Sequence, residues 1–128
     1  MSTALGMMAL VVREYDEALA YFVGKLGFKL IEDADMGAGK RWVVVEPAAS
    51  GARLLLARAA NETQAAAIGA QAGGRVFLFL YTTDFDTTFE RYAEAGVRFI
   101  SAPRQEAYGK VVVFEDLYGN RWDLLEAQ

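Results

Sequence analysis

Arg41 stands directly before Trp42, and a guanidinium fork beside an indole is a pairing that can grip a carboxylate and stack on a planar ring. Trp122 offers a second stacking surface, with core or interface packing the stronger reading for both tryptophans. Arg104, Glu106 and Tyr108 lie just before the glycine of a final hairpin, in a loop of the kind that often carries binding residues, though a solvated loop is preferred. Glu32, Asp33 and Asp35 gather carboxylates that would hold calcium only weakly, and a solvated acidic loop explains them better. Gly37-Ala38-Gly39-Lys40 has too little of a phosphate-loop pattern and reads as a flexible turn. Missing residue types narrow the chemistry further. The chain has no cysteine, hence no disulfide, thiolate nucleophile or thiolate metal site. It has no histidine, which excludes imidazole acid/base catalysis, Ser-His-Asp triads and imidazole-ligated metals.

Size and charge set the frame for these residues. The 128 residues, 54% of them apolar, suit a single domain, 1–128, with a continuous core. Net charge is −4 and the 13 Lys and Arg are scattered, so the basic footprint of a nucleic-acid partner is missing. No basic leader opens the sequence and no apolar run approaches the roughly 20 residues of a membrane span. The expectation is a cytoplasmic protein with neither nucleic-acid nor membrane partners.

The elements that must position the chemistry emerge from an internal repeat. Leu10-Val11-Val12-Arg13-Glu14-Tyr15-Asp16, then a helix, then Gly27-Phe28-Lys29-Leu30-Ile31, parallels Leu80-Tyr81-Thr82-Thr83-Asp84-Phe85-Asp86, a helix, and Gly96-Val97-Arg98-Phe99-Ile100. Leu19, Phe22, Val23 and Leu26 in one helix, and Phe89, Tyr92 and Ala93 in the other, have the spacing of a one-sided buried stripe. Gly27 and Gly96 occupy helix C-cap positions that favour positive φ. Gly39-Lys40 with the strand Arg41 to Glu46 echoes Gly109-Lys110 with Val111 to Glu115, and Arg53 to Leu56 aligns with Arg121 to Leu125 after the turn Asp116-Leu117-Tyr118-Gly119. The result is an α+β chain of two duplicated βαβββ modules, at about 5–58 and 75–126. Between them a linker, about 59–74, carries Asn61 as N-cap of a helix from Glu62 to Ile68 and a Gly73-Gly74 hinge.

Two blocks carry a family resemblance: Tyr15-Asp16-Glu17-Ala18-Leu19-Ala20-Tyr21-Phe22 with Leu26-Gly27-Phe28, and Phe114-Glu115-Asp116-Leu117-Tyr118-Gly119-Asn120-Arg121-Trp122-Asp123-Leu124-Leu125-Glu126. Through them the sequence resembles the vicinal oxygen chelate superfamily of glyoxalases, bleomycin-resistance proteins and extradiol dioxygenases. That resemblance implies strands curled into a curved mixed sheet, a small-molecule cavity and a homodimer. It maps the metal-ligand positions of metal-using relatives onto Met7, Leu54, Phe77 and Asp123. A thioether, an alkyl group, a phenyl ring and one carboxylate do not make a site for a divalent ion, so the resemblance implies a degenerate metal site and no cofactor.

Strand alternation from those mapped positions gives the cavity wall: Met7, Ala9, Val11, Leu54, Leu56, Phe77, Phe79, Tyr81, Arg121, Asp123 and Leu125. With Trp42, the ligand-binding candidates are Met7, Leu54, Phe77, Phe79, Tyr81, Arg121 and Asp123, in an apolar, aromatic-rich wall. Asp123 is either a binding or proton-carrying carboxylate or the ion-pair partner of Arg121 or Arg53. Tyr81 either orients a ligand through its hydroxyl or packs with its oxygen in water.

Three functions follow. The first is a metal-free binder, of the bleomycin-resistance type, for a small aromatic or partly cationic molecule. The second is a lyase, isomerase or dioxygenase-like enzyme with Asp123 or Tyr81 as catalytic acid/base, or with a metal held elsewhere. The third is a dimeric interaction module whose cup is filled by its own side chains. Fold alone does not choose among them.

Overall fold

A computed structural model describes residues Met1 to Ala127, and it divides into two compact units, Met1–Ile68 and Gly69–Gln128, of which the final residue is not described. Among the described residues no helix is long and apolar enough to cross a membrane.

The first unit runs β1 (Met7–Val12), α1 (Tyr15–Phe22), β2 (Lys29–Asp35), β3 (Arg41–Glu46), β4 (Arg53–Arg58) and α2 (Glu62–Ala67). Its four strands lie in the order β1-β4-β3-β2, with β1 parallel to β4 and the other neighbours antiparallel. In register, Leu10 pairs with Leu56, and Leu56 with Val43, so these residues share one face. That face is the core, where Leu10, Val12, Val43, Val45 and Leu56 meet Ala18, Phe22 and Leu26, all buried. Branched residues at alternate strand positions fill a flat, half-buried surface well, and the helix covers it with its apolar stripe. α1 ends at Phe22, and Gly27, at φ 73°, lets the chain turn into β2. β2 is the outer strand, exposed along almost its whole length and interrupted by a bulge between Leu30 and Glu32. The acidic residues Glu32, Asp33 and Asp35 are therefore in a strand rather than a loop.

Asn61 caps α2 as the sequence implies, its side chain accepting the Gln64 N–H at 2.9 Å, and Gln64 Oε1 in turn accepts the Ala60 N–H at 2.7 Å. This exchange resembles a capping box shifted by one residue and fixes a helix of only 6 residues.

The second unit repeats the pattern: β5 (Val76–Thr82), α3 (Phe85–Glu94), β6 (Arg98–Phe99), β7 (Arg104–Glu106), β8 (Gly109–Glu115) and β9 (Arg121–Glu126). The order β5-β9-β8-β6, with β5 parallel to β9, matches the first sheet, and β7 pairs separately with β8. Two modules of like topology are thus present, as the repeat implies. They differ at the outer strand, which Pro103 splits into β6 and β7, because proline gives no N–H to a ladder. Arg104 and Glu106 consequently sit on a strand, where a loop was expected. The core of this unit is aromatic: Phe114 stacks on Trp122 at 5.6 Å, and Tyr92 and Phe99 meet its ring edge-on at 6.0 and 6.2 Å. Asp84 caps α3 by accepting the Thr87 N–H at 3.2 Å.

Candidate functional site

The face of each sheet opposite its helix carries the candidate chemistry. In the second unit β9 is the central reference strand. Its Trp122 and Leu124 point to the aromatic core, so Asp123 and Leu125 point the other way, in register with Phe79 and Tyr81 of β5 and with Val113 and Val111 of β8. Phe79 and Tyr81 are 57% and 62% exposed, high values for aromatic rings on a central sheet face. Asp123, between them and β8, is only 9% exposed, and its Oδ1 is shielded from solvent with no hydrogen-bond partner.

A shielded carboxylate oxygen without a donor is an unusual and costly arrangement. Burial pushes the Asp123 carboxyl above its ordinary range, and the nearby Arg104 guanidinium pulls weakly the other way. The ion pairs considered for it from sequence are not made: Arg53 pairs with Glu46 at 3.6 Å, and among the described residues none joins Asp123 to Arg121. Arg104 instead bonds Glu106 at 2.7 Å.

Other candidates are placed as follows. Met7 is half-buried on the open face of β1. Leu54 is not on that face: it pairs with Met8 and Val45 and is 4% exposed in the core, so parity on β4 is offset by one residue and Leu55 faces outward, as does Arg53 beside Met7. Leu56 is corrected in the same way. Phe77 falls at the register irregularity between Val76 and Leu78, where alternation from Phe79 is interrupted. Arg121 is exposed at the start of β9. Trp122 is a core residue, whereas Trp42 is half-buried and lines a groove in the first unit.

The metal-ligand positions implied by resemblance do not fit a divalent ion. Their side chains offer one carboxylate, and restoring the β4 parity substitutes Arg53 or Leu55, neither of them a ligand. Among the described residues no three His, Cys, Asp or Glu side chains group closely enough to hold a metal.

Two features of structural chemistry were missed in sequence. Asp116, 2% exposed, accepts the Tyr118 and Asn120 N–H groups, the Asn120 side-chain amide and the Trp122 indole N–H, all within 3.0–3.1 Å. Tyr15 accepts the Arg41 N–H at 3.1 Å and carries the guanidinium groups of both Arg41 and Arg58 at 5.1 Å from its ring centroid. The repeat marks Tyr15 only as an aromatic before an aspartate; its two cationic neighbours lie 26 and 43 positions downstream and no local signal joins them.

Comparison with known proteins agrees with this architecture. A protein of Shewanella frigidimarina (strain NCIMB 400), itself uncharacterised, is 52% identical over 128 residues, covering 98% of this chain and 95% of its own. The crystal structure of UcmS2 superposes with a TM-score of 0.84 at 28% identity, over 99% of this chain and 100% of that one. TnmS3, an antibiotic binding protein from Streptomyces sp. CB03234, superposes with a TM-score of 0.78 at 26% identity, over 100% of this chain and 99% of that one. The model of one family matches residues 4–124. With four-stranded β1-β4-β3-β2 topology repeated in β5-β9-β8-β6, and that match over nearly the whole sequence, the chain belongs to the Glyoxalase/Bleomycin resistance protein/Dioxygenase superfamily.

Proposed function

We propose that the protein binds a small, planar, positively charged molecule on the open face of the second sheet, with Asp123 as the counter-charge and Phe79 and Tyr81 as stacking surfaces. The observation that carries this reading is the Asp123 Oδ1, shielded and without a donor, beside two exposed rings. A ligand N–H would supply the missing hydrogen bond, and a cation over an aromatic face adds attraction that strengthens as water leaves. The antibiotic-binding character of TnmS3 supports a binding role on this scaffold. Absence of a fitting donor set at the mapped positions favours sequestration, which needs no metal. The homodimer belongs to the same proposal, and sedimentation velocity is its check.

Titration calorimetry with proflavine, a planar cation, and with neutral acridine tests the reading. Proflavine is expected to bind and acridine to bind weakly, with Asp123→Asn weakening proflavine by about tenfold, the equivalent of 1.4 kcal/mol. Equal binding of both dyes, or an unchanged affinity in the variant, refutes it.

A second reading is favoured by the elevated Asp123 carboxyl, since an acid held above its ordinary range is better matched to proton transfer near neutrality. In that case Asp123→Asn abolishes turnover while leaving ligand affinity nearly intact, the reverse of the binding outcome.

A further inference from the structure

A groove of about 420 Å³ lies in the first unit, where the β3–β4 ladder opens. Pairing between these strands runs only over Val43–Val45 and Leu54–Leu56. Beyond it Arg41 and Trp42 follow β2, while Ala57 and Arg58 follow β1, so the two strands separate around the gap. Its volume is within the range of small-molecule sites.

The lining is one-sided in charge. Lys40, Arg41 and Arg58 border the groove, and among the described residues no aspartate or glutamate does. Arg41 is already committed, to Asp33 at 2.7 Å and Asp16 at 2.8 Å, and so holds the wall rather than a ligand. Arg58 makes a looser ion pair, with Glu14 at 3.6 Å, and its guanidinium is held over the Tyr15 ring. It also lies against the turn at Gly39, where an added Cβ would come within 3.3 Å of its Nη2. Lys40 has no acidic partner among the described residues. Gln64 adds a neutral donor: its Oε1 must be the atom that accepts the Ala60 N–H, because an amide nitrogen there would face donor with donor, and this leaves the Nε2 hydrogens for the groove. Trp42 and the Leu55–Leu56 edge supply the apolar surface.

We propose that this groove binds an aromatic carboxylate, with the ring against Trp42 and the anionic head among Arg58, Lys40 and Gln64. A planar fork and an ammonium suit a carboxylate, and the indole suits a flat ring. The groove is built by residues of the first unit and demands a ligand charge opposite to the one proposed for Asp123 of the second, so either assignment can fail without the other.

Naphthalene-2-carboxylate and its uncharged amide are the probes, followed by the two indole N–H resonances. The carboxylate is expected to shift the Trp42 signal and leave that of Trp122, which is bonded to Asp116, in place. Arg58→Gln is expected to weaken binding about tenfold and Lys40→Gln about fivefold, with the amide at least tenfold weaker than the acid. Lys40 is exposed on a turn, so its variant keeps the test decisive should Arg58→Gln unfold. No saturable shift at Trp42, equal affinity for acid and amide, or affinities unchanged in the folded variants overturns the assignment.

Discussion

The indole N–H of Trp122 donates to Asp116 Oδ2 across 3.0 Å, tying the start of the last hairpin to the strand that carries Asp123. The same carboxylate takes two backbone N–H groups of the turn, so one side chain fixes the turn, the indole rotamer and the register of β9 against β8. Removing it strands four donors in a dry environment. Asp116→Ala is expected to destabilise the fold by about 3 kcal/mol, and Asp116→Asn by about 1–2, since the amide keeps one acceptor. Urea denaturation with constant slope measures both.

Asp123 makes a prediction of opposite sign. A carboxyl whose folded-state value lies above its ordinary 3.8 binds its proton more tightly when folded, so its contribution is full below that value and is lost as pH rises through the raised one. Asp123→Asn removes a charge that is unfavourable in place. The variant should be at least as stable as the parent at pH 7, with the advantage shrinking toward pH 4; a loss of stability at pH 7 would mean that the carboxylate has a favourable partner.

Tyr92 extends the same logic to alkaline pH. Burial pushes its phenol up to about 12, from an ordinary 10. Between those values the unfolded chain ionises and the folded one does not, so stability declines as pH rises from about 10 to 12, by about 2–3 kcal/mol in all. Tyr92→Phe should flatten that decline, as guanidinium denaturation at pH 9 and pH 11.5 would record.

Gly69 has φ 76°, and a Cβ built on it would overlap the Tyr118 carbonyl oxygen. Gly74 has a comparable φ of 91° with nothing within 4 Å. Gly69→Ala is therefore expected to cost about 3–4 kcal/mol and Gly74→Ala about 1, the difference being the clash rather than the backbone preference. Thermal unfolding of the two variants separates these contributions.

Much of this architecture was legible because duplication makes the sequence its own comparison. Tyr15-Asp16 and Phe85-Asp86 mark equivalent helix starts, and Gly27 and Gly96 mark equivalent exits, both at positive φ. Asn61 was readable as a cap because capping depends on neighbours three residues apart. What depends on register was less accessible. Alternation orders residues within a strand, yet the face of β4 is set by pairing with β1, which placed Leu54 in the core and Leu55 outside. The groove beside Trp42 was hidden for a related reason: Lys40, Arg58 and Gln64 meet only because the ladder opens past Val43 and Leu56.

The bulged outer strand β2 bears on edge-to-edge pairing with other chains. A bare strand edge invites another chain to pair with it, and here Glu32, Asp33 and Asp35 put negative charge along that edge while the bulge at Ile31 disturbs its hydrogen-bonding rhythm. The Arg41 guanidinium, hydrogen-bonded to Asp33, holds that carboxyl below its ordinary range and so favours its charge on the edge. The strand is thus shielded against fibril-like association by the same carboxylate that anchors the wall of the groove.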